Sequence, residues 1–300
     1  QSLPSDYRDQ IGQLGGSVVR SMNKSDMIVA WIPQTGMGRI QAEPWVRSVS
    51  LDVRIHALLT VIRRECQIKI VLEPTWNIVN IYGEQNRLIP VEGQGAKVAI
   101  MDTGVNYTLP DMDDHYLGGY DFVNSDPDPM DDNDHGTRCA SIAVGEGQAE
   151  YVGVAPKAGY FALKVLDAQG SGYVSDLCSA IEWAMDHGAD VISMSLGISS
   201  GPPTPELESY CNLAYQAGIV LVAASGNAGV RKSDRPASYA SVISVGATRQ
   251  DNLIPAFSNG GCELVAPGVD VPCLTRGGVE NTASGTSFSC PHVSGAVALM

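Results

Sequence analysis

Positive charge is scarce in this 300-residue chain. Lys and Arg number 19 against 33 Asp and Glu, for a formal net charge of −14 and a pI near 4.6. A groove for a nucleic-acid backbone needs clustered cations, so no nucleic-acid partner is expected. Long apolar runs are also missing. No stretch of about 18 apolar residues exists, so no membrane-spanning helix is expected. Charged residues make up only 17% and apolar ones 44%, which excludes a disordered chain. Among the seven cysteines (Cys66, Cys139, Cys178, Cys211, Cys262, Cys273 and Cys290) no CxxC pair occurs, so a zinc ribbon or thioredoxin motif is ruled out. Their number is odd, which leaves at least one thiol outside any internal disulfide, and their density is too low for a disulfide-built scaffold. The N-terminal QSLPSDYRDQ lacks a basic segment followed by an apolar one, so any signal peptide is expected to have been removed or never present.

What the chain does hold changes along its length. Up to about residue 72, short apolar runs alternate with charge: GGSVVRSM, DMIVAWIP, a helix-like GRIQAEPWVRSV, then SLDVRIHALL. This predicts a small α+β domain. A less periodic stretch follows. From Lys97 the runs KVAIM, GYFALKVL, DVISMSL, IVLVAAS and SVISVGAT are continuously apolar, as in strands buried on both faces of a parallel sheet. Between them, VSDLCSAIEWAMDHG repeats apolar residues every three or four positions up to Gly188, and ELESYCNLAYQAG ends similarly at Gly218. The pattern predicts a doubly wound, mainly parallel α/β sheet over residues 73–300, preceded by a domain at 1–72.

Functional groups in such sheets collect beyond the carboxyl ends of the strands. There the sequence supplies Asp102-Thr103-Gly104, Gly170-Ser171-Gly172, Ser195-Leu196-Gly197 and Gly226-Asn227. Three further segments complement one another: AIMDTGV at Asp102, NDHGTRCA at His135 and SGTSFSCPHVSG at Ser287. Serine is a poor nucleophile at neutral pH. An imidazole can take its proton, and a carboxylate can fix the imidazole tautomer and stabilise the imidazolium. Each residue alone reads as a turn or a helix cap; an acid, a base and a hydroxyl together point to nucleophilic acyl transfer.

The segments DTGV, DHGTRCASIA and GTSFSCPHVSG resemble the three signature motifs of the subtilisin-like serine proteases. VGVAPKAGYFALKVLDAQGSG, VISMSLG, VLVAASGN and AFSNGGCELVAPGVDV are similar to the segments between them, and the likeness runs from about Thr75 to Met300. It implies a secreted serine endopeptidase acting on polypeptides. Asp102 would orient, His135 would act as general base and Ser287 as nucleophile, with Asn227 donating to the oxyanion. Gly170, Ser171 and Gly172, with Ser195, Leu196 and Gly197, would form the two edges that hold an extended substrate. Ser287 is expected to open a buried helix whose first turn tolerates Pro291. Phe288, Ser289, Arg138 and Cys139 depart from the family's usual residues without removing a reacting group. The chain ends 13 residues after Ser287, where family members continue, so it is expected to be cut short.

The same resemblance implies calcium as cofactor. Asp121, Asp126 and Asp128 in YDFVNSDPDPMDDND, with the Met130 carbonyl, would form one site, and Asp111 would belong to a second, whose partner loop offers Gln148 or a Glu in place of the usual Asn. The first region resembles the family's inhibitory pro-domain, which implies a monomeric zymogen with its own pro-domain as intramolecular inhibitor and self-cleavage between about Thr60 and Thr75. Cys178 with Cys211, and Cys262 with Cys273, are open as disulfide pairs. Two other readings compete: a catalytically silent binding protein on this fold, which would have lost a triad residue, and a nucleotide-binding enzyme, for which GSGYVS at Gly170 is only a partial fingerprint.

Overall fold

The five apolar runs become the middle of a seven-stranded sheet. The computed structural model describes residues 4, 6–22, 27–50, 52–58, 75–82, 91–148 and 151–300. The chain divides into two units, Gln1–Val53 and Arg54–Met300; the sequence places that division at about residue 72, and residues 59–74 lie outside the described ones.

In the first unit, α1 (Tyr7–Gln13) leads into an antiparallel hairpin of β1 (Ser17–Met22) and β2 (Met27–Trp31), followed by α2 (Gln34–Ile40). Ile11, Met22 and Ile40 form its buried side. The helix expected over GRIQAEPWVRSV lies earlier and stops at Ile40. Pro44 has no N–H to donate, and it disfavours the helical backbone in the residue before it.

The second unit runs β3 (Arg54–Ala57), α3 (Trp76–Tyr82), β4 (Lys97–Asp102), β5 (Tyr116–Asp121), α4 (His135–Val144), β6 (Gly159–Lys164), β7 (Ser171–Tyr173), α5 (Val174–Asp186), β8 (Val191–Met194), β9 (Leu196–Gly197), α6 (Pro205–Gln216), β10 (Val220–Ala224), β11 (Val242–Thr248), β12 (Leu264–Pro267), β13 (Val271–Leu274), β14 (Glu280–Ala283) and α7 (Thr286–Ala298). The large sheet has the order β12-β11-β10-β8-β4-β6-β5, with every neighbouring pair parallel. The chain leaves β4 on one side and β8 on the other, so the strand order reverses between them. Loops diverge at that point and leave a crevice beyond the strand ends.

Alternate residues of β4 serve opposite faces. Val98 and Ile100 join Val222, Val245, Ala140 and Ala143 of α4, and Cys290 and Val293 of α7, in one core. Ala99 and Met101 are fully buried as well. That is why the strand reads as a continuous apolar run. α5 buries Val174, Leu177, Cys178 and Ile181, the periodic face, and packs on α6. α7 shows no polar stripe because it is buried almost throughout, between α4 and the sheet, with Thr286, Ser287, Ser289, His292 and Ser294 buried alongside its apolar residues.

No disulfide joins Cys178 to Cys211, nor Cys262 to Cys273. Burial pushes the thiols of Cys211 and Cys273 up to about 12 and that of Cys290 up to about 11. It raises Cys139 as well. Cys262 is partly exposed. Because the thiolate is the reacting form, Ellman's reagent at pH 8 should label Cys262 in the native protein well before Cys139, Cys211, Cys273 or Cys290. Equal labelling rates for all five would contradict this packing.

Candidate active site

Asp102 is the last residue of β4 and His135 the first of α4, so strand and helix meet at their functional ends. His135 Nδ1 donates to Asp102 Oδ1 at 2.7 Å, and both side chains are 1% exposed. A carboxylate oxygen only accepts, so Nδ1 carries the proton and Nε2 is left as the basic nitrogen. Nε2 has no partner, so its lone pair is not engaged.

The helix end is fixed by side chains rather than by an ordinary cap, since Asp134 makes no capping bond. The His135 N–H donates to Asn133 Oδ1 at 3.2 Å, the Gly136 N–H to Thr103 Oγ1 at 2.9 Å and the Thr137 N–H to Asp131 Oδ2 at 2.9 Å. Three N–H groups with no partner inside the helix are thereby satisfied. Asp131, 3% exposed, is the hub. Its Oδ1 accepts from Thr103 Oγ1, Asn133 N and Asp134 N, and its Oδ2 also from Thr137 Oγ1. A carboxylate here also suits the positive end of the helix dipole. The buried ammonium of Lys164 holds the other side of the strand end, donating to Thr103 O at 2.8 Å and Leu166 O at 2.9 Å.

Ser287 is the second residue of α7 and fully buried. Pro291 lies in the second turn, one turn later than the sequence suggests. It cannot donate to the carbonyl four residues back, which is that of Ser287. That carbonyl accepts instead from Ser195 Oγ at 2.7 Å and Cys139 Sγ at 3.5 Å. The proline thus frees the Ser287 backbone to be tied to the strand β8 loop and to α4. The side-chain hydroxyl has two carbonyls within reach of its single proton, that of Ser195 at 3.0 Å and that of Leu58.

Leu58 ends an extended segment that lies between the two expected edges. β3 pairs antiparallel with β7, setting Ile55 against Gly172 and His56 against Ser171, and with β9, setting His56 against Gly197 and Ala57 against Leu196. The Ala57 N–H donates to Gly170 O at 2.7 Å. Asn227 Nδ2 donates to Leu58 O at 2.8 Å. Its Oδ1 accepts both the N–H and the hydroxyl of Thr286, each at 2.9 Å, which fixes the amide so that its NH2 faces that carbonyl. Ser287 and Asn227 therefore meet at one peptide carbonyl, at the end of a strand that pairs with both glycine-containing edges, and the His135 ring, held by Asp102, lies 5.6 Å from that of Phe288, the residue after Ser287. The sequence offered no signal for Asp131 or Thr286, whose roles arise from contacts across the fold.

The acidic residues behave differently. Asp121 accepts from Val123 N, Asn124 N and Asn124 Nδ2, Asp126 from Asp128 N, and Asp128 from Tyr107 OH and Met130 N. These bonds come from the residues' own loop, apart from the one that Tyr107 gives Asp128. Among the described residues, the acidic trio that does converge is Asp113, Asp114 and Glu146. Asp111 lies beside it through its carbonyl, which accepts the Glu146 N–H.

Residues 93–300 match the subtilase family. The chain belongs to that family. It is 43% identical over 229 residues to the thermophilic serine proteinase of Bacillus sp. (strain AK1), covering 73% of this chain and 57% of that protein. It is 41% identical over 228 residues to subtilisin Savinase of Lederbergia lenta, covering 75% of this chain and 83% of that protein. The crystal structure of a cold adapted subtilisin-like serine proteinase superposes with a TM-score of 0.69 at 32% identity, covering 75% of this chain and 84% of that one. The subtilase match accounts for the doubly wound sheet as well as for the motifs.

The Asp131 hub gives the first test of how this subtilase site is held. Asp131→Ala strands several buried donors and is expected to cost at least about 3 kcal/mol. At about 2–4 °C per kcal/mol, calorimetry should show Tm lowered by roughly 6–12 °C. An unchanged Tm would show that the α4 terminus is held by other means.

Proposed function

We propose that this protein is a secreted serine endopeptidase that cuts peptide bonds through an acyl-enzyme on Ser287. One observation carries the reading: the Leu58 carbonyl, at the end of an extended strand, is held jointly by the Ser287 hydroxyl and the Asn227 amide. Ser287 Oγ attacks the carbonyl carbon of a polypeptide bound between the two edges, and its proton passes to His135 Nε2. Asp102 keeps the imidazole in the productive tautomer and offsets the charge it gains. The oxyanion forms against Asn227 Nδ2 and the Ser287 N–H, where the α7 dipole adds positive potential. His135 then protonates the leaving amine, and water, with His135 again as base, frees the acid and restores Ser287.

The N-terminal unit is the inhibitory pro-domain of this zymogen, and the released enzyme is a monomer. The sequence predicts the cut between about Thr60 and Thr75; the contacts of Leu58 support one earlier, at Leu58–Leu59. Ser287→Ala should lower peptide hydrolysis by about three orders of magnitude or more. It should also leave a single chain, whereas the unsubstituted protein yields a new N-terminus at Leu59 in Edman sequencing. Hydrolysis that survives Ser287→Ala would overturn the enzyme assignment. A new N-terminus in the Ser287→Ala protein would show that another protease makes the cut.

Calcium is the stabilising cation in this reading. Asp113, Asp114 and Glu146, whose ligand oxygens converge, are assigned to it ahead of the acid run at Asp121, Asp126 and Asp128. A cation bound only by the folded state adds about 2.7 kcal/mol at a hundredfold excess over Kd. Chelation should therefore lower Tm, and Asp114→Ala should shrink that shift more than Asp126→Ala. A Tm identical in calcium and in chelator would remove the ion from the account.

A further inference from the structure

We propose that Asp234 makes the primary specificity pocket of this enzyme select a lysine or arginine side chain on the residue preceding the cut bond in polypeptides bound from solution, whereas the tethered Leu58 is held there by its own chain. The proposal rests on the serine-endopeptidase reading, because it takes Leu58 to mark where that residue sits.

Two glycines outline the pocket. The point where a Cβ on Gly197 would stand is 3.0 Å from Leu58 Cδ1 on one side, and 3.2 Å from Asp234 Cβ and 3.5 Å from Asp234 Oδ2 on the other. A Cβ on Gly226, the residue before Asn227, would fall 2.4 Å from Asp234 Oδ2. Gly226 also has φ of +109°, so only glycine suits that position on two counts. The Leu58 side chain and the Asp234 carboxylate are thus neighbours across one small space, walled by Gly197 and Gly226 beneath the reacting carbonyl.

Asp234 is 7% exposed. Its Oδ1 accepts from Asn259 Nδ2 at 3.3 Å, and Asn259 is itself anchored to Ser225 O at 3.0 Å. Oδ2 has no hydrogen-bond partner. A buried carboxylate oxygen left unpaired is costly, and an incoming cation relieves that cost. The adjacent Arg235 is no substitute, since its guanidinium donates away to Gly201 O, Pro202 O and Thr204 Oγ1. Burial holds the Asp234 carboxyl above its ordinary value, opposed by Arg235; a cation in direct contact would pull it back down. Leucine stops at Cδ, short of the carboxylate, whereas a lysine ammonium lies two bonds further along and an arginine guanidinium further still. The net charge of −14 favours the approach of basic substrates in the same sense.

The test uses three peptide p-nitroanilides, succinyl-Ile-His-Ala-X with X as Lys, Arg or Leu, so that the first three residues copy the strand that enters the cleft. A charge-assisted, desolvated contact predicts kcat/KM at least about 10-fold higher for Lys or Arg than for Leu. Asp234→Asn should lower the Lys:Leu ratio by about 10- to 100-fold. A Lys:Leu ratio below one in the unsubstituted enzyme, or the same ratio in Asp234→Asn, would overturn the proposal. Should Asp234→Asn not fold, the unsubstituted enzyme decides. Competitive inhibition by benzamidine that neutral benzamide does not match supports the proposal, and equal effects of the two overturn it. Failure of the unsubstituted enzyme to cut any of the three would count against the endopeptidase reading as well, whereas good cleavage of the Leu peptide alone overturns only the pocket assignment.

Discussion

The chemistry of this molecule depends on one buried hydrogen bond, from His135 Nδ1 to Asp102 Oδ1 at 2.7 Å. The two groups come from the end of a strand and the start of a helix, with the whole β5 excursion between them. A bond between such groups has a fixed length and direction only if both elements are fixed. The hydroxyl of Thr103 and the carboxylate of Asp131 do this by binding helix to strand through a continuous set of bonds. With both Asp131 oxygens and the Thr103 hydroxyl engaged, this network favours one arrangement, because a displacement strands buried donors. The result is an imidazole whose Nδ1 is fixed on Asp102 and whose Nε2 makes no hydrogen bond.

A second constraint holds the Ser287 backbone against α4 and the loop after β8. Pro291 denies the Ser287 carbonyl its partner within α7, and Ser195 and Cys139 take the place of that partner. The loop after β8 and the body of α4 are thereby both attached to the same backbone unit. Ser195 belongs to the edge that receives an extended chain, so nucleophile and binding edge move together. The same edge ends at Gly197, where the absence of a side chain opens the space that Leu58 and Asp234 share. Binding, positioning and specificity are therefore tied to a few residues around the point where the strand order reverses.

Much of this was legible in the sequence, for reasons that can be stated. β4, β6, β8, β10 and β11 are buried on both faces, so their continuous apolar runs stand out. β5, YLGGYD, and β12, LVAP, are sheet edges with half-exposed or glycine positions, and they carry no such signal. The proposed reacting residues stand out because each lies in a short contiguous motif. Asp131, Thr286 and Asp234 do not, because their meaning comes from partners 28, 59 and more residues away or across the pocket. The acid run is ambiguous for the opposite reason. Carboxylates close in sequence can serve the backbone of their own loop, and composition alone does not separate that use from cation binding.

The proposed account stands on Ser287 as nucleophile, His135 as its base and Asn227 as an oxyanion donor. Labelling the native protein with a fluorophosphonate, followed by peptide mapping, examines all three at once. Modification of Ser287 alone, abolished by His135→Ala, is the predicted result. Labelling at another residue, or none in a folded protein freed of its N-terminal unit, would contradict the account.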